Sequence, residues 1–178
     1  MSRLPWQESW TLGIELVDAE HRSLVDGVNQ LAARFTRDPA QAAEPLRVAA
    51  GDTPGDPASE HVALMAALEL LAEQAREHFK HEEALMRAID YPELGSHRSE
   101  HALLLAEYIE MVRDLERQTQ TRLDSETVQS LHHWLVSHMV GADKDYADYY
   151  FAMLGQKQAP LGGRQPAAPR GADGSAGS

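Results

Sequence analysis

The 178-residue chain contains no cysteine. That absence excludes disulfides, thiolate metal ligands, iron–sulfur clusters and a cysteine nucleophile, so any bound metal must be held by nitrogen and oxygen. Basic residues are scarce: 16 Lys and Arg stand against 28 Asp and Glu, a formal net charge of -12 with histidine neutral. The acidic charge is spread along the chain, and no basic patch invites a nucleic acid. Long apolar runs are missing too. Nothing approaches the roughly 20 residues needed to cross a bilayer, and the amino-terminal MSRLPWQESW lacks the apolar core of a secretion signal. These absences predict a soluble, cytoplasmic protein with no membrane partner, and the length suits one domain with a sizeable core.

Apolar residues recur with helical period. Val17, His21, Leu24, Val28, Leu31 and Phe35 share one face of a helix predicted over 18–35, with Asp18 placed to cap it. The segment 38–60 holds four prolines and breaks the periodicity; a long loop is expected, assigned to 38–58. A second helix is predicted from about Ser59, its cap, to Ala88, with Leu64, Leu68, Leu71, Ala75, His78, Glu82 and Met86 in register. After a turn at Tyr91-Pro92-Glu93, a third runs to about Arg117 and carries His97, His101, Leu104, Tyr108, Met111 and Leu115. A fourth starts near Asp124 or Ser125 and presents Val128, Leu131, Trp134, Leu135 and His138. Short turns between long helices make sequential helices antiparallel neighbours. The expected fold is therefore all-α, an up-down-up-down four-helix bundle over residues 1–154. Residues 155–178, with six glycines and three prolines, are expected to form a disordered tail.

Polar residues on those apolar stripes carry the chemistry. His78 and Glu82, and likewise His97 and His101, are four apart and stand one above the other on a helix. With His21, His138 and Asp143 they supply five imidazoles and two carboxylates, enough for two metal ions inside a bundle. Spacing alone is weak, because a helical protein with nine histidines will contain such pairs, and an inward histidine is more often a hydrogen-bonded core residue than a ligand. The set is stronger. Glu82 and Asp143 on apolar stripes would each lose several kcal/mol of hydration unless paired or protonated, and Lys80, Arg98 and Arg113 are out of phase with them. Asp143 breaks the pattern: five residues on from His138, a regular helix puts it about 140° around. Gly141 lies between and can relax the backbone there; otherwise Asp143 is a surface acid in a C-terminal turn.

In order and spacing, Trp6 ahead of Gly13 and Asp18-x-x-His21, then His78-Phe79-x-x-Glu82-Glu83-x-x-Met86, Tyr91-Pro92 with His97-x-x-x-His101, and Trp134-x-x-x-His138-x-x-x-x-Asp143-x-x-Tyr146 resemble the bacterial hemerythrins over about residues 4–151. The resemblance implies a central di-iron site. His97, His101 and His138 would hold one iron, His21 and His78 the other, and Glu82 and Asp143 would bridge both alongside an oxo or hydroxo group. It further implies that dioxygen binds at the iron held by His21 and His78, is kept as hydroperoxide and is released by reversal of the same steps. Leu24, Phe79, Leu104, Trp134 and Leu135 are the candidates to line an apolar pocket there, each equally a candidate for plain bundle packing.

The remaining histidines, His61, His81, His132 and His133, are expected to be solvated or to touch ligands at most from outside. Glu83 is read as a surface residue or a partner for a ligand imidazole N–H. The function expected is non-enzymatic: a monomeric carrier that binds dioxygen reversibly for storage, transport or delivery to an oxygen-requiring enzyme. Two alternatives use the same residues, a di-iron redox enzyme or sensor and an iron-storage or structural protein.

Overall fold

A computed structural model describes residues 3–36 and 56–158. It is all-α: a 3-10 turn at Glu8–Trp10 precedes α1 (Glu15–Phe35), α2 (Pro57–Ala88), α3 (Leu94–Arg117), α4 (Ser125–Val140) and α5 (Ala142–Gln158). The first four make the bundle, with α1 packed between α2 and α4, and α3 against the other side of α2. Trp134 closes the ring. Its indole N–H donates to the Leu104 carbonyl of α3 at 2.9 Å, and its ring lies 5.4 Å from that of Tyr108.

The helix starts differ from the sequence expectation in an instructive way. α1 begins at Glu15, not 18. Asp18, one turn inside, is buried and accepts the backbone N–H groups of Leu12 and Gly13 at 2.7 and 2.9 Å, so it ties the entering loop to the helix instead of capping it. Gly13 makes that loop possible: its φ is +85°, and a Cβ would lie 3.3 Å from the Phe151 ring. α2 begins at Pro57, with Asp56 at the N-cap position in place of Ser59; the fixed φ of proline suits a first helical residue. The loop expected at 38–58 is thus helical at its last two residues, and 37–55 lie outside the described residues. Asp124 does cap α4, accepting the Thr127 N–H at 2.8 Å.

α2 and α3 both end in a left-handed residue that is not glycine. Asp90 has φ +53° and Thr119 φ +51°. Around each, two backbone bonds reach back over the last turn, Tyr91 N–H to Met86 and Asp90 N–H to Arg87 in one case, Gln120 N–H to Leu115 and Thr119 N–H to Glu116 in the other. This is the Schellman arrangement, which satisfies the terminal carbonyls.

Two apolar clusters fill the bundle. The larger joins Leu24, Val28, Leu64, Leu68, Phe79, Tyr108, Leu131 and Leu135 among others. The smaller holds Leu12, Ile14, Val17, Met86, Tyr146 and Ala147. Between them lie the buried polar residues His21, His78, Glu82, His97, His101, His138 and Asp143. Apart from Asp143, at the start of α5, they fall early in α1 and α3 and late in α2 and α4; only antiparallel neighbours can bring those ends to one level. No helix among the described residues is long and apolar enough to cross a membrane.

Candidate metal centre

All seven residues singled out by pattern meet in the bundle. Their donor atoms form two overlapping groups: Glu82, His97, His101, His138 and Asp143 around one point, and His21, His78, Glu82 and Asp143 around the other, with all donor atoms within each group no more than 4.8 Å apart. Both carboxylates belong to both groups. This is a clustered site capable of holding two metal ions.

Each contribution follows from local structure. On α2, His78 and Glu82 are one turn apart, and His78 Nε2 lies 3.5 Å from Glu82 Oε2. On α3, the same spacing sets His97 Nε2 3.1 Å from His101 Nε2. His21 Nε2 reaches Asp143 Oδ2 at 3.3 Å, and His138 Nε2 reaches Asp143 Oδ1 at 3.0 Å. Asp143 arrives because the helix stops. α4 ends at Val140, Gly141 takes φ -106° and ψ -100°, and α5 starts at Ala142, so Asp143 turns inward from the first turn of a new helix and is fully buried. A Cβ on Gly141 would sit 3.0 Å from the Ser137 carbonyl, closer than ordinary packing tolerates.

The donor chemistry fits a cation. Glu82 and Asp143 are wholly inaccessible, and none of their four oxygens makes a well-directed hydrogen bond. Their charged neighbours are imidazoles; no lysine or arginine among the described residues pairs with them. Two buried carboxylates without a hard cation would forfeit several kcal/mol each, and two imidazole nitrogens 3.1 Å apart need a proton or a metal between their lone pairs. Without metal, the ionisations respond accordingly. Burial and the Asp143 charge push Glu82 upward, yet the imidazoles of His101, His78 and His97 bring it down to about 2. Burial opposes protonation of His97, yet Asp143 and Glu82 raise it to about 9. Asp143, also buried, is held well below the usual carboxylate range by His138, His21 and His97.

Carboxylates outside the cluster brace two of its imidazoles. His101 Nδ1 lies 3.3 Å from Glu83 Oε1, so Glu83 is an imidazole partner and not simply a surface acid. His78 Nδ1 lies 3.0 Å from Glu20, a residue that sequence pattern did not single out. Phe79 stacks on His101 with ring centres 3.9 Å apart. Tyr146 is fully buried with its hydroxyl unpartnered; burial first, then the charges of Glu82 and Asp143, push its pKa up. His61 is engaged elsewhere, its Nδ1 2.6 Å from the Gln120 carbonyl, and burial lowers the pKa of His132.

A small cavity of about 10 Å³ adjoins the centre, lined by His21, His78, His138 and Asp143 together with Leu24, Phe79, Leu104, Trp134, Leu135 and Met139. It is at the lower limit for one water-sized molecule. All five residues proposed from sequence to line such a pocket are in its wall.

Comparison with known proteins agrees with this geometry. A family model described as the Hemerythrin HHE cation binding domain matches residues 12–150. A bacteriohemerythrin of Stenotrophomonas maltophilia is 26% identical over 156 residues, covering 88% of this chain and 87% of the relative. A bacteriohemerythrin of Pseudomonas aeruginosa is 27% identical over 150 residues, covering 83% and 82%, and a myohemerythrin of Theromyzon tessulatum is 24% identical over 141 residues, covering 79% and 88%. The fold matches the crystal structure of wild-type hemerythrin with a TM-score of 0.61 at 21% identity, covering 83% of this chain and 97% of that one. With a family match that spans the bundle from its entering loop to α5, the chain belongs to the hemerythrin family.

Proposed function

We propose that this chain is a reversible dioxygen-binding protein whose non-heme di-iron centre is held by His97, His101 and His138 on one iron, His21 and His78 on the other, and Glu82 and Asp143 on both. The observation that carries the reading is the unequal division of the donors, three imidazoles in one group and two in the other around shared carboxylates. The poorer position has a ligand fewer, and its two histidines line the small cavity. When bound, a ferrous pair supplies the electrons with which dioxygen is taken up and given back.

The chain's own residues account for reversibility. Five neutral imidazoles and only two carboxylates give less anionic charge than a glutamate-rich shell, and so less drive toward permanently ferric iron. Leu24, Phe79, Leu104, Trp134 and Leu135 keep bulk water and proton donors from the cavity. The one side-chain N–H among them, on Trp134, is spent on the Leu104 carbonyl and offers no proton to a ligand. A role in storage or delivery follows from this reading, and we propose with it a cytoplasmic, monomeric carrier.

Oxygen uptake by the ferrous-loaded protein tests it. One dioxygen per two irons, recovered under argon, is the expected outcome; consumption that argon does not reverse, with a product formed, would replace the carrier with a redox enzyme. The cavity wall has its own test. Leu24→Ala, at a side chain 1% exposed, should keep two irons and hasten irreversible oxidation several-fold, and an unchanged rate would remove the wall's protective role.

A further inference from the structure

Each ligand imidazole turns Nε2 to the centre, and what its Nδ1 meets differs from one to the next. His21 Nδ1 is buried with no partner. His138 Nδ1 is 3.9 Å from Glu100, a half-exposed carboxylate. His101 Nδ1 meets Glu83, whose other oxygen lies 3.0 Å from Arg98 Nε. His78 has the closest partner: Glu20 Oε2 at 3.0 Å, while Glu20 Oε1 lies 2.6 Å from Nδ1 of His81. Glu20 directly precedes His21 on α1, and His78 and His81 are three apart on one face of α2. One carboxylate therefore spans from α1 to two imidazoles of α2, one 2% exposed and the other 47% exposed.

We propose that Glu20 is a positioning residue for the two-histidine metal: with His81 anchoring its outer oxygen, it fixes His78 with the proton on Nδ1 and the lone pair on Nε2. A neutral imidazole has one N–H and one lone pair, and the hydrogen bond made by one nitrogen decides which face can ligate. The stake is larger here than across the centre. The three-histidine group keeps two imidazoles if one turns away, whereas the other has only His21 besides, and His21 receives no such support. The inference rests on the dinuclear reading of the site.

Zinc loading of the full chain, with chelator competition, separates the two. The wild type should take up two zinc ions. Glu20→Ala should weaken one of them about 10–100-fold and leave the other, and Glu20→Gln, which keeps an acceptor oxygen, should restore much of the loss. His81→Ala, an exposed change that leaves the helices intact, should weaken the same ion by a smaller factor. In the metal-free protein, at a pH where His78 is neutral, its nitrogen-15 shifts should report an Nδ1 proton that Glu20→Ala redistributes toward Nε2. Two zinc ions held as tightly by Glu20→Ala as by the wild type, or an unaltered His78 tautomer, would overturn the role of Glu20. Uptake of fewer than two by the wild type would overturn the dinuclear centre and this role with it.

Discussion

At the scale of single residues, the chemistry of the centre runs against burial preference: carboxylates and imidazoles on apolar helical stripes, as His78, Glu82, His97 and His101 are, cost several kcal/mol each unless they share a cation. Replacing His78 with Ala should lose the two-histidine metal and the oxygen response while helicity persists; an unchanged oxygen response would remove His78 from the ligand set. In the sequence, the stripes carrying His78, Glu82, His97 and His101 are legible and Glu20 is not. It is an ordinary helical acid beside His21, and only the packing of α1 on α2 brings it to His78 and His81. In the metal-free protein, linkage also gives the pH dependence of stability. His97, raised from 6.5 to about 9, stabilises fully below pH 6.5 and progressively loses that contribution as pH rises through 9. Glu82, lowered from 4.5 to about 2, stabilises above 4.5 and loses that contribution as pH falls toward 2. Melting temperature of the metal-free protein should therefore peak between pH 4.5 and 6.5 and decline toward 9, and metal, by taking the proton's place on His97, should abolish the alkaline decline. A flat profile from 6.5 to 9 without metal would contradict the pairing of His97 with the two carboxylates.

At the scale of helices, period and turn residues marked the four long segments, and their ends were less legible. Asp18 looked like a cap because caps are short polar residues before an apolar run; it instead accepts two loop amides from inside the first turn, a role that depends on how residues 12–13 fold back. The break at Gly141 was anticipated from the angular misfit of Asp143, and it is the device that delivers the second carboxylate. Gly141→Ala places a Cβ 3.0 Å from the Ser137 carbonyl and should displace Asp143, weakening metal retention against a chelator while α1–α3 remain folded. Retention equal to wild type would show that the turn tolerates a side chain. The left-handed termini give an opposite prediction. Thr119 carries a β-branched side chain at φ +51°, so Thr119→Gly should stabilise the bundle by about 0.5–1 kcal/mol, a rise in melting temperature of roughly 1–4 °C. A fall would mean that the threonine makes contacts worth more than its strain.

At the scale of the whole molecule, the centre divides the core. Apolar clusters lie on either side of a polar layer to which α1, α2, α3, α4 and α5 each contribute, so the layer is both the proposed ligand set and the joint between two packed halves. Metal binding should accordingly act on the entire bundle, and a chelator should lower its melting temperature as a single transition. α5 continues to Gln158, past residue 155 where the tail was expected to begin, and 159–178 lie outside the described residues. Since every proposed ligand falls between His21 and Asp143, deletion of 159–178 should leave metal content unchanged. The measurement that bears most directly on the proposed function is anaerobic loading with ferrous iron, iron counted per chain, and absorption spectra followed through repeated cycles of oxygen and argon. The account predicts two irons per chain and an oxygen-dependent visible band that appears and vanishes with each cycle. One-way oxidation, or a chain that retains no iron, would contradict it.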